Sequence, residues 1–197
     1  MNVLNDRVLQ TVEISGLDYF HFTEDEQEGF DFGKRFSHSI QRVFEKGYDQ
    51  VICVGNDTPQ LTSSHLFTAV ESLNSGKAVN GPSLDGGFYL MGINATDFDA
   101  ASFENLPWQT NKLASSYLNL LEAQSLEVDL LEYLVDLDSE EDINRLFNGA
   151  DLRTDLAQAI LSTLNSERAL HVYTSKQTES VSFELPLNKG SPASIAA

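Results

Sequence analysis

The segment VICVGNDTPQL, residues 51–61, decides the fold prediction for this chain. It opens with an unbroken apolar run, which is typical of a strand that is covered on both faces, as in a parallel sheet. The run ends at Gly55, and Asp57 follows at the point where such a strand would meet solvent. Two interpretations of Asp57 are open: a turn residue that bonds its own backbone, or a ligand for a bound group.

Apolar periodicity predicts helices and strands that alternate on either side of this segment. Helices are predicted over residues 4–15, 34–46 and 110–124, and between a Thr62 or Ser63 cap and Gly76. Strands are predicted over 17–22 and 77–82, the segment 85–93 is predicted to turn at its glycines and run into a further strand, and residues 127–138 are predicted to be extended. This alternation predicts an α/β fold, specifically a three-layer α/β/α sandwich with a mainly parallel sheet. Ligands of such sheets bind beyond the carboxyl ends of the strands, where Asp57 lies.

The strand and helix signals support one domain over residues 1–165. Further helices are predicted from Ser139 and over residues 152–164. Beyond residue 165 the signals weaken, so residues 166–197 are predicted to form a C-terminal extension that is partly disordered. Its last ten residues, NKGSPASIAA, have the composition of a loose tail.

The charge of the chain limits its partners. Lys and Arg total 12 and Asp and Glu total 30, so the formal net charge is −18. Such a surface repels phosphate backbones and anionic lipid, which argues against nucleic-acid and membrane binding, while it is compatible with a divalent cation. The single cysteine, Cys53, lies in the apolar run and indicates a reducing compartment. With no membrane-length apolar stretch and a polar N-terminus, the predicted location is cytoplasmic.

Two further acidic motifs are candidate sites. In GPSLDGGFYLMG, residues 81–92, Asp85 precedes two glycines, which form either a tight turn or a backbone that approaches a ligand closely. In LVDLDSEEDI, residues 134–143, Asp136 and Asp138 would share one face of an extended segment. The alternative for this second pair is the ordinary enrichment of acids at a helix start.

Taken in order, these motifs resemble one known family. The blocks GNDTPQL, GPSLDGGFYLMG, LPWQT and DLDSEED, with FGKRF at 32–36 in register, are similar to a glycosyltransferase family described as associated with radical-SAM and selenium-related proteins. That family belongs to the nucleotide-diphospho-sugar transferase superfamily, which has the glycosyltransferase-A fold. The likeness runs from about Gln27 to about Phe147, and the DGGFYL block is its most specific part.

The resemblance implies a metal-dependent glycosyltransferase or nucleotidyltransferase that binds a nucleotide or nucleotide sugar. Asp57 matches the acid that binds the divalent ion, Mg²⁺ or Mn²⁺, and Asp138 matches the second metal acid of the related cytidylyltransferases. Asp85 then takes the catalytic position that orients the sugar or acceptor. In the same comparison Gly86, Gly87, Trp108 and Thr110 are substrate-binding, although Trp108 is equally well explained as a core aromatic.

The sequence also departs from the family. Members usually begin with a strand and a glycine-rich basic loop that wraps the phosphates, whereas here the nearest basic pair is Lys34 and Arg35, which become candidate substrate-binding residues. Without the first strand, the QVICVG strand at residues 50–55 would have an unpaired edge. Three explanations for the missing strand and loop compete: a truncated gene start, a shortened and inactive relative, or an edge that is covered by a partner or by the C-terminal segment. The alternative function is therefore a catalytically inactive relative that acts as a binding or interaction protein.

Overall fold

The structure is a computed structural model that describes residues 3–23, 26–137 and 193–196. The chain forms an α/β fold. Its described helices are Val3–Ser15 (α1), Phe32–Glu45 (α2), Ser63–Asn74 (α3), Ala100–Glu104 (α4) and Leu113–Ala123 (α5). Its described strands are Tyr19–His21 (β1), Gln50–Val54 (β2), Ala78–Pro82 (β3), Phe88–Asn94 (β4), Val128–Leu130 (β5) and Ala193–Ala196 (β6). No described helix has the length and apolar composition to cross a membrane.

Two of the helices, α2 and α3, begin where side chains bond backbone N–H groups at their first turn. The Asp31 carboxylate accepts a hydrogen bond from the Lys34 backbone N–H at 2.8 Å and begins α2. Thr62 and His65 form a reciprocal capping box that begins α3, which places the cap at Thr62, one of the two predicted positions. The predicted helices are confirmed in the described range, while the short α4 was not predicted because five residues carry too little periodicity.

The sheet is mixed, with strand order β1-β6-β2-β4-β3-β5. Among the described strands only β3 and β5 pair in parallel, and the other four pairings are antiparallel. The expectation of a mainly parallel sheet is therefore not confirmed. The physical reason is that an unbroken apolar run reports burial on both faces, and an antiparallel strand buried in this way has the same pattern.

Strand β2 is covered on both faces, as its sequence predicts. Ile52 and Val54 pack in an apolar cluster with residues of α1 and α3. Val51 and Cys53 belong to a second cluster, which contains residues of α2, α4 and α5. All four of these side chains are buried, because successive residues of a strand point to opposite faces and each face carries helices.

The C-terminal strand β6 lies between β1 and β2. Its backbone pairs antiparallel with both neighbours, so the C-terminal segment covers this edge of β2. The expectation of a loose tail is thus wrong for residues 193–196. Their sequence, ASIA, has little strand propensity, and the pairing follows from the backbone groups that β1 and β2 present. The expected boundary at 165–166 and the helices expected from Ser139 and over 152–164 lie outside the described residues.

Asp129 of β5 connects the end of the sheet to α3 and is expected to make stability depend on acid pH. Its carboxylate accepts hydrogen bonds from Lys77 Nζ and Ser72 Oγ, each at 2.9 Å, and these two bonds lower the pKa of Asp129. Because the folded-state pKa lies below the unfolded value, the stabilisation is present near neutral pH and is lost as the pH falls through the folded pKa.

We expect Asp129→Asn to lower the free energy of unfolding at pH 7 and to make that free energy less sensitive to acid. Urea unfolding at pH 7 and pH 3 measures both effects. Glu71→Gln, a change at an exposed residue of α3, is the control. An equal deficit for Asp129→Asn at the two pH values would contradict the role of this carboxylate.

Candidate functional site

Three chain segments meet at the carboxyl end of β2. Because β4 is antiparallel to β2, the turn that precedes β4 lies beside the residues that follow β2, and the Gly55 N–H donates to the Tyr89 carbonyl at 2.8 Å. The segment after β5 joins them, since the Leu137 N–H donates to the Asp57 carbonyl at 2.9 Å. Side chains from distant parts of the sequence therefore border one cavity.

The cavity has a volume of about 190 Å³. Its lining includes the predicted residues Asp57, Asp85, Gly87, Trp108 and Thr110. The other lining residues are Phe32, Phe36, Cys53, Val54, Gly55, Asn56, Phe88, Gln109, Asn111, Leu113 and Asp136. The three motifs that the sequence singled out are thus brought together at one place.

Asp136 borders the cavity, although of the Asp136 and Asp138 pair only Asp138 is predicted as a metal ligand. Both Asp57 and Asp136 border the cavity, and the buried Thr58 hydroxyl donates to Asp136 Oδ1. Asp138 lies outside the described residues, so its predicted role as a metal ligand stays a prediction. The signal for Asp136 was available, because the DxD spacing places two acids on one face of an extended segment.

The described carboxylates fit a divalent ion that is shared with a substrate. Asp57 and Asp136 offer hard oxygen donors, the type that Mg²⁺ prefers, and Mg²⁺ usually takes one or two carboxylates and completes its shell with phosphate and water. In the described part of the chain no group of three or more His, Cys, Asp or Glu is arranged to hold a metal ion. Two carboxylates would leave the remaining positions around such an ion to substrate oxygens and water.

Asp85 is held in a tight turn at the rim of the cavity. Its Oδ1 accepts from the Ser83 hydroxyl and from the Gly87 backbone N–H, each at 2.8 Å. These two bonds fix the orientation of an exposed carboxylate. The motif was interpreted as a tight turn or as a backbone that approaches a ligand. The two interpretations are compatible, because the turn is also what presents Asp85 to the cavity.

Gly86, predicted to bind substrate, is not among the residues that line the cavity, and its backbone packs closely against a neighbouring loop. It has a φ of +93°, and a Cβ at this position would lie 2.1 Å from the Asn111 carbonyl oxygen. The Gly86 carbonyl also accepts from the Ala114 N–H at 2.9 Å. The DGG turn and the loop that carries Trp108 and Thr110 are therefore packed backbone to backbone, which no larger residue permits.

We expect Gly86→Ala to reduce the free energy of unfolding by more than Gly76→Ala. Gly76 also has a positive φ, +78°, but a Cβ there meets nothing within 4 Å. The control variant should therefore cost only the backbone strain, about 1–2 kcal/mol, whereas Gly86→Ala adds the clash with Asn111. Urea unfolding measures both, and equal losses would contradict the close packing of the two loops.

Trp108 is both a core aromatic and a cavity residue. Its Nε1 donates to the Phe103 carbonyl at 3.1 Å, and its ring lies 5.2 Å from Phe36 and 5.3 Å from Phe32, centroid to centroid. The indole is half-buried and lines the cavity. The next residue, Gln109, has a φ of +59°, an uncommon backbone conformation for a residue with a side chain.

Phe88 reaches the cavity through a β-bulge that the sequence did not predict. Gly81 pairs with Leu90 but Pro82 pairs with Phe88, so Tyr89 is an extra residue in β4. In a regular strand Phe88 would share a face with Leu90, which packs in the cluster of α1 and α3. The bulge instead places Phe88 in the opposite cluster and beside the cavity, as bulges near functional sites often do.

Tyr89 supports the segment that carries Asp136. Its hydroxyl donates to the Glu132 carbonyl at 3.1 Å. Burial, with smaller contributions from the charges of Glu132 and Asp136, raises the pKa of Tyr89 far above its ordinary value. The phenol therefore stays protonated at neutral pH and acts as a hydrogen-bond donor and not as a proton acceptor.

Lys34 and Arg35, the predicted basic contacts, are not among the residues that line the cavity. Lys34 Nζ instead lies 3.8 Å from the centroid of the exposed Phe30 ring. Both residues are in the first turn of α2, where the Arg35 N–H donates to the Asp31 carbonyl at 3.1 Å. The structure therefore does not bring this basic pair to the acids.

Two comparisons with known proteins found similar proteins. A family described as an uncharacterized protein conserved in bacteria (DUF2064) matches residues 19–110. Among solved structures, the chain is similar to a proposed nucleotide-diphospho-sugar transferase from Desulfovibrio desulfuricans G20, with 29% sequence identity and a TM-score of 0.61. The match covers 73% of this chain and 62% of that protein, so the chain spans less than two thirds of its structural relative.

No curated protein matches the chain. The residues that the DUF2064 match covers include Asp57, Asp85 and Trp108, which all border the cavity. Together, the two similarities support the nucleotide-diphospho-sugar transferase superfamily for this chain.

Proposed function

We propose that this chain binds a nucleotide-diphosphate sugar with a divalent metal ion and catalyses glycosyl or nucleotidyl transfer. The observation that carries the proposal is the cavity at the end of β2, which Asp57, Asp85 and Asp136 border together. The similarity to a proposed nucleotide-diphospho-sugar transferase supports the substrate class. The proposal includes the glycosyltransferase-A arrangement of layers, with helices on both faces of the sheet.

Asp57 and Asp136 are the described residues that would hold the ion, and Asp138 is a further proposed ligand. When bound, a divalent ion neutralises phosphate charge and stabilises the charge that develops on the leaving group. The chain itself supplies the alignment: the hydrogen bond from Thr58 orients Asp136, and the bond from the Leu137 N–H to the Asp57 carbonyl joins the two segments.

Asp85 is the proposed catalytic residue. In glycosyl transfer the bond between the anomeric carbon and the diphosphate oxygen breaks, and its electron pair leaves with the nucleoside diphosphate. The acceptor oxygen forms the new bond to that carbon, and its proton passes to the Asp85 carboxylate. The two hydrogen bonds to Asp85 Oδ1 hold the group in place for this step.

The second candidate function is ligand binding without turnover. It is favoured by one observation: among the described residues that line the cavity there is no lysine, arginine or histidine to contact phosphate. A chain of this kind would retain the pocket and serve as a binding or interaction protein.

Calorimetric titration with nucleoside diphosphates, with Mn²⁺ and with both tests the proposal. We expect binding heat that requires the metal, and then the release of nucleoside diphosphate from a nucleotide sugar, or of pyrophosphate if the reaction is nucleotidyl transfer. Metal-dependent binding without either product would establish the second candidate. An absence of heat for every nucleotide, with and without metal, would reject both.

A further inference from the structure

The cavity has a polar rim and an apolar floor. The rim contains the exposed residues Gln109, Thr110 and Asp85. The floor contains side chains that are almost wholly buried yet border the cavity, including Phe36 at 5% exposure and Cys53 at 2%. The apolar floor is unlike a phosphate site, in which backbone N–H groups and basic side chains surround the ligand.

Aromatic rings form much of the apolar part. Phe88 meets Trp108 edge to face at 5.9 Å between centroids, and Phe36 and Phe32 contact the same indole. Two features hold these rings in place: the hydrogen bond from Trp108 Nε1 to the Phe103 carbonyl, and the bulge that turns Phe88 inward. These four rings, Phe32, Phe36, Phe88 and Trp108, form the aromatic wall of the cavity. The aromatic wall is therefore preorganised to contact the face or edge of another ring.

Volume limits what the cavity, floor and rim together, can accept. A cavity of about 150 Å³ holds a single benzene molecule. At about 190 Å³, this cavity has room for one six-membered ring and a small substituent, but not for a nucleotide diphosphate and its sugar together. Most of a nucleotide sugar would thus lie outside the enclosed space, towards the rim.

The charged residues that line the cavity determine which kind of ring it can bind. Asp57, Asp85 and Asp136 border the cavity, and no basic side chain is among its described lining residues. An anionic group placed in this floor would lose its hydration with no basic side chain among the described lining residues to compensate, which is strongly unfavourable. A neutral ring would lose little hydration and would gain apolar contact.

We propose that the floor is an acceptor subsite selective for an uncharged alcohol that carries an aryl ring, with its hydroxyl groups at the carboxylate rim. The proposal rests on the proposed function only in assigning this ligand to the acceptor. It differs from a site for a phosphorylated acceptor, which would need positive charge at this position.

The single tryptophan of the chain provides the test, because Trp108 lies in the cavity wall. Its fluorescence is titrated with phenyl β-D-glucoside, methyl β-D-glucoside and glucose 1-phosphate, in EDTA and without nucleotide. We expect a saturable change with the phenyl glucoside, a Kd at least tenfold higher for the methyl glucoside, and no tighter binding of glucose 1-phosphate than of the methyl glucoside. Equal affinities for the three ligands, preference for the phosphate, or no saturation by the phenyl glucoside would overturn the proposal.

Variants at two phenylalanines locate the response. Phe88→Leu and Phe88→Ala should raise the Kd for the phenyl glucoside about tenfold or more and leave the weak binding of the methyl glucoside unchanged. Phe67→Ala is the control, since Phe67 is 48% exposed on α3, which packs on the opposite face of the sheet. Near-UV circular dichroism confirms folding of each variant, and an unchanged Kd in a folded Phe88→Leu protein would contradict the subsite.

This test is independent of the metal and nucleotide. Binding of the phenyl glucoside without any nucleotide heat in calorimetry would retain the aryl subsite and reject the transferase proposal. Nucleotide binding without a response to the phenyl glucoside would retain the transferase proposal and reject the subsite.

Discussion

Asp57→Asn is expected to abolish metal-dependent nucleotide binding while the fold is retained. Asp57 follows the central strand β2 and borders the cavity, and the substitution removes its charge with almost no change in volume. Loss of residues that only support metal ligands typically weakens metal affinity 10- to 100-fold, so loss of a direct ligand should weaken it by about 100-fold or more. Calorimetric titration with Mn²⁺ and a nucleoside diphosphate measures the effect.

Asp49→Asn is the matched control, because Asp49 is exposed and precedes the same strand at its other end. It removes the same charge from the chain but lies away from the cavity, so its affinity should equal that of the wild type. If both variants weakened nucleotide affinity equally, the affinity would depend on the net charge of the chain, −18, and not on the position of the carboxylate. That result would contradict a metal site at Asp57.

Removal of residues 193–197 is expected to destabilise the sheet strongly. These residues contain β6, which pairs with β1 on one side and with β2 on the other. Each backbone hydrogen bond contributes about 1 kcal/mol, so loss of both ladders should reduce the free energy of unfolding by on the order of 3–5 kcal/mol. The exposed edge of β2 should also promote aggregation.

Hydrogen exchange shows where this loss occurs. In the full chain, residues 51–54 lie between β4 and β6, and their amides should exchange slowly. In the truncated chain, alternate amides of these residues should exchange faster, because successive N–H groups of a strand point to opposite neighbours. Fast exchange of these amides in the full chain would contradict the pairing of β6 with β2.

A single substitution repeats the test without shortening the chain. Ile195→Pro should reproduce the effect of truncation, because proline cannot donate to a ladder and an interior strand does not tolerate it. Ile195→Val is the matched control, since valine keeps the backbone N–H and the strand propensity. Equal unfolding free energies for the two variants would show that β6 adds no stability to the sheet.

Much of the site was predictable from local sequence. Asp57 follows an apolar strand, and Asp85 stands before two glycines, so each acid carried a signal of a turn at a strand end. Trp108 and Thr110 were assigned through the family resemblance, and they line the same cavity. Lys34 and Arg35 were assigned only as the nearest basic residues, and the structure does not bring them to the cavity.

The remaining site residues depend on contacts between distant segments. Phe88 enters the cavity wall because of one extra residue in β4, and no residue pattern distinguishes that bulge from a regular strand. Asp136 is placed beside Asp57 by a backbone bond between residues 57 and 137, which sequence spacing alone does not reveal. A one-residue change in register exchanges the two faces of a strand, so these positions are known only once pairing is known.

By itself, the sequence determined the helices, the buried strands and the acids that follow them, because burial and turn formation leave local patterns of period and residue type. Only the tertiary structure decided the direction of β4, the insertion of β6 beside β2 and the placement of Phe88 and Trp108 together in the cavity wall. Strand pairing joins backbone groups that are identical in every residue, so its partners and directions leave little trace in the side chains. The segment VICVGNDTPQL thus specified a buried strand with an acid at its end, and its neighbours in the folded chain specified what that acid faces.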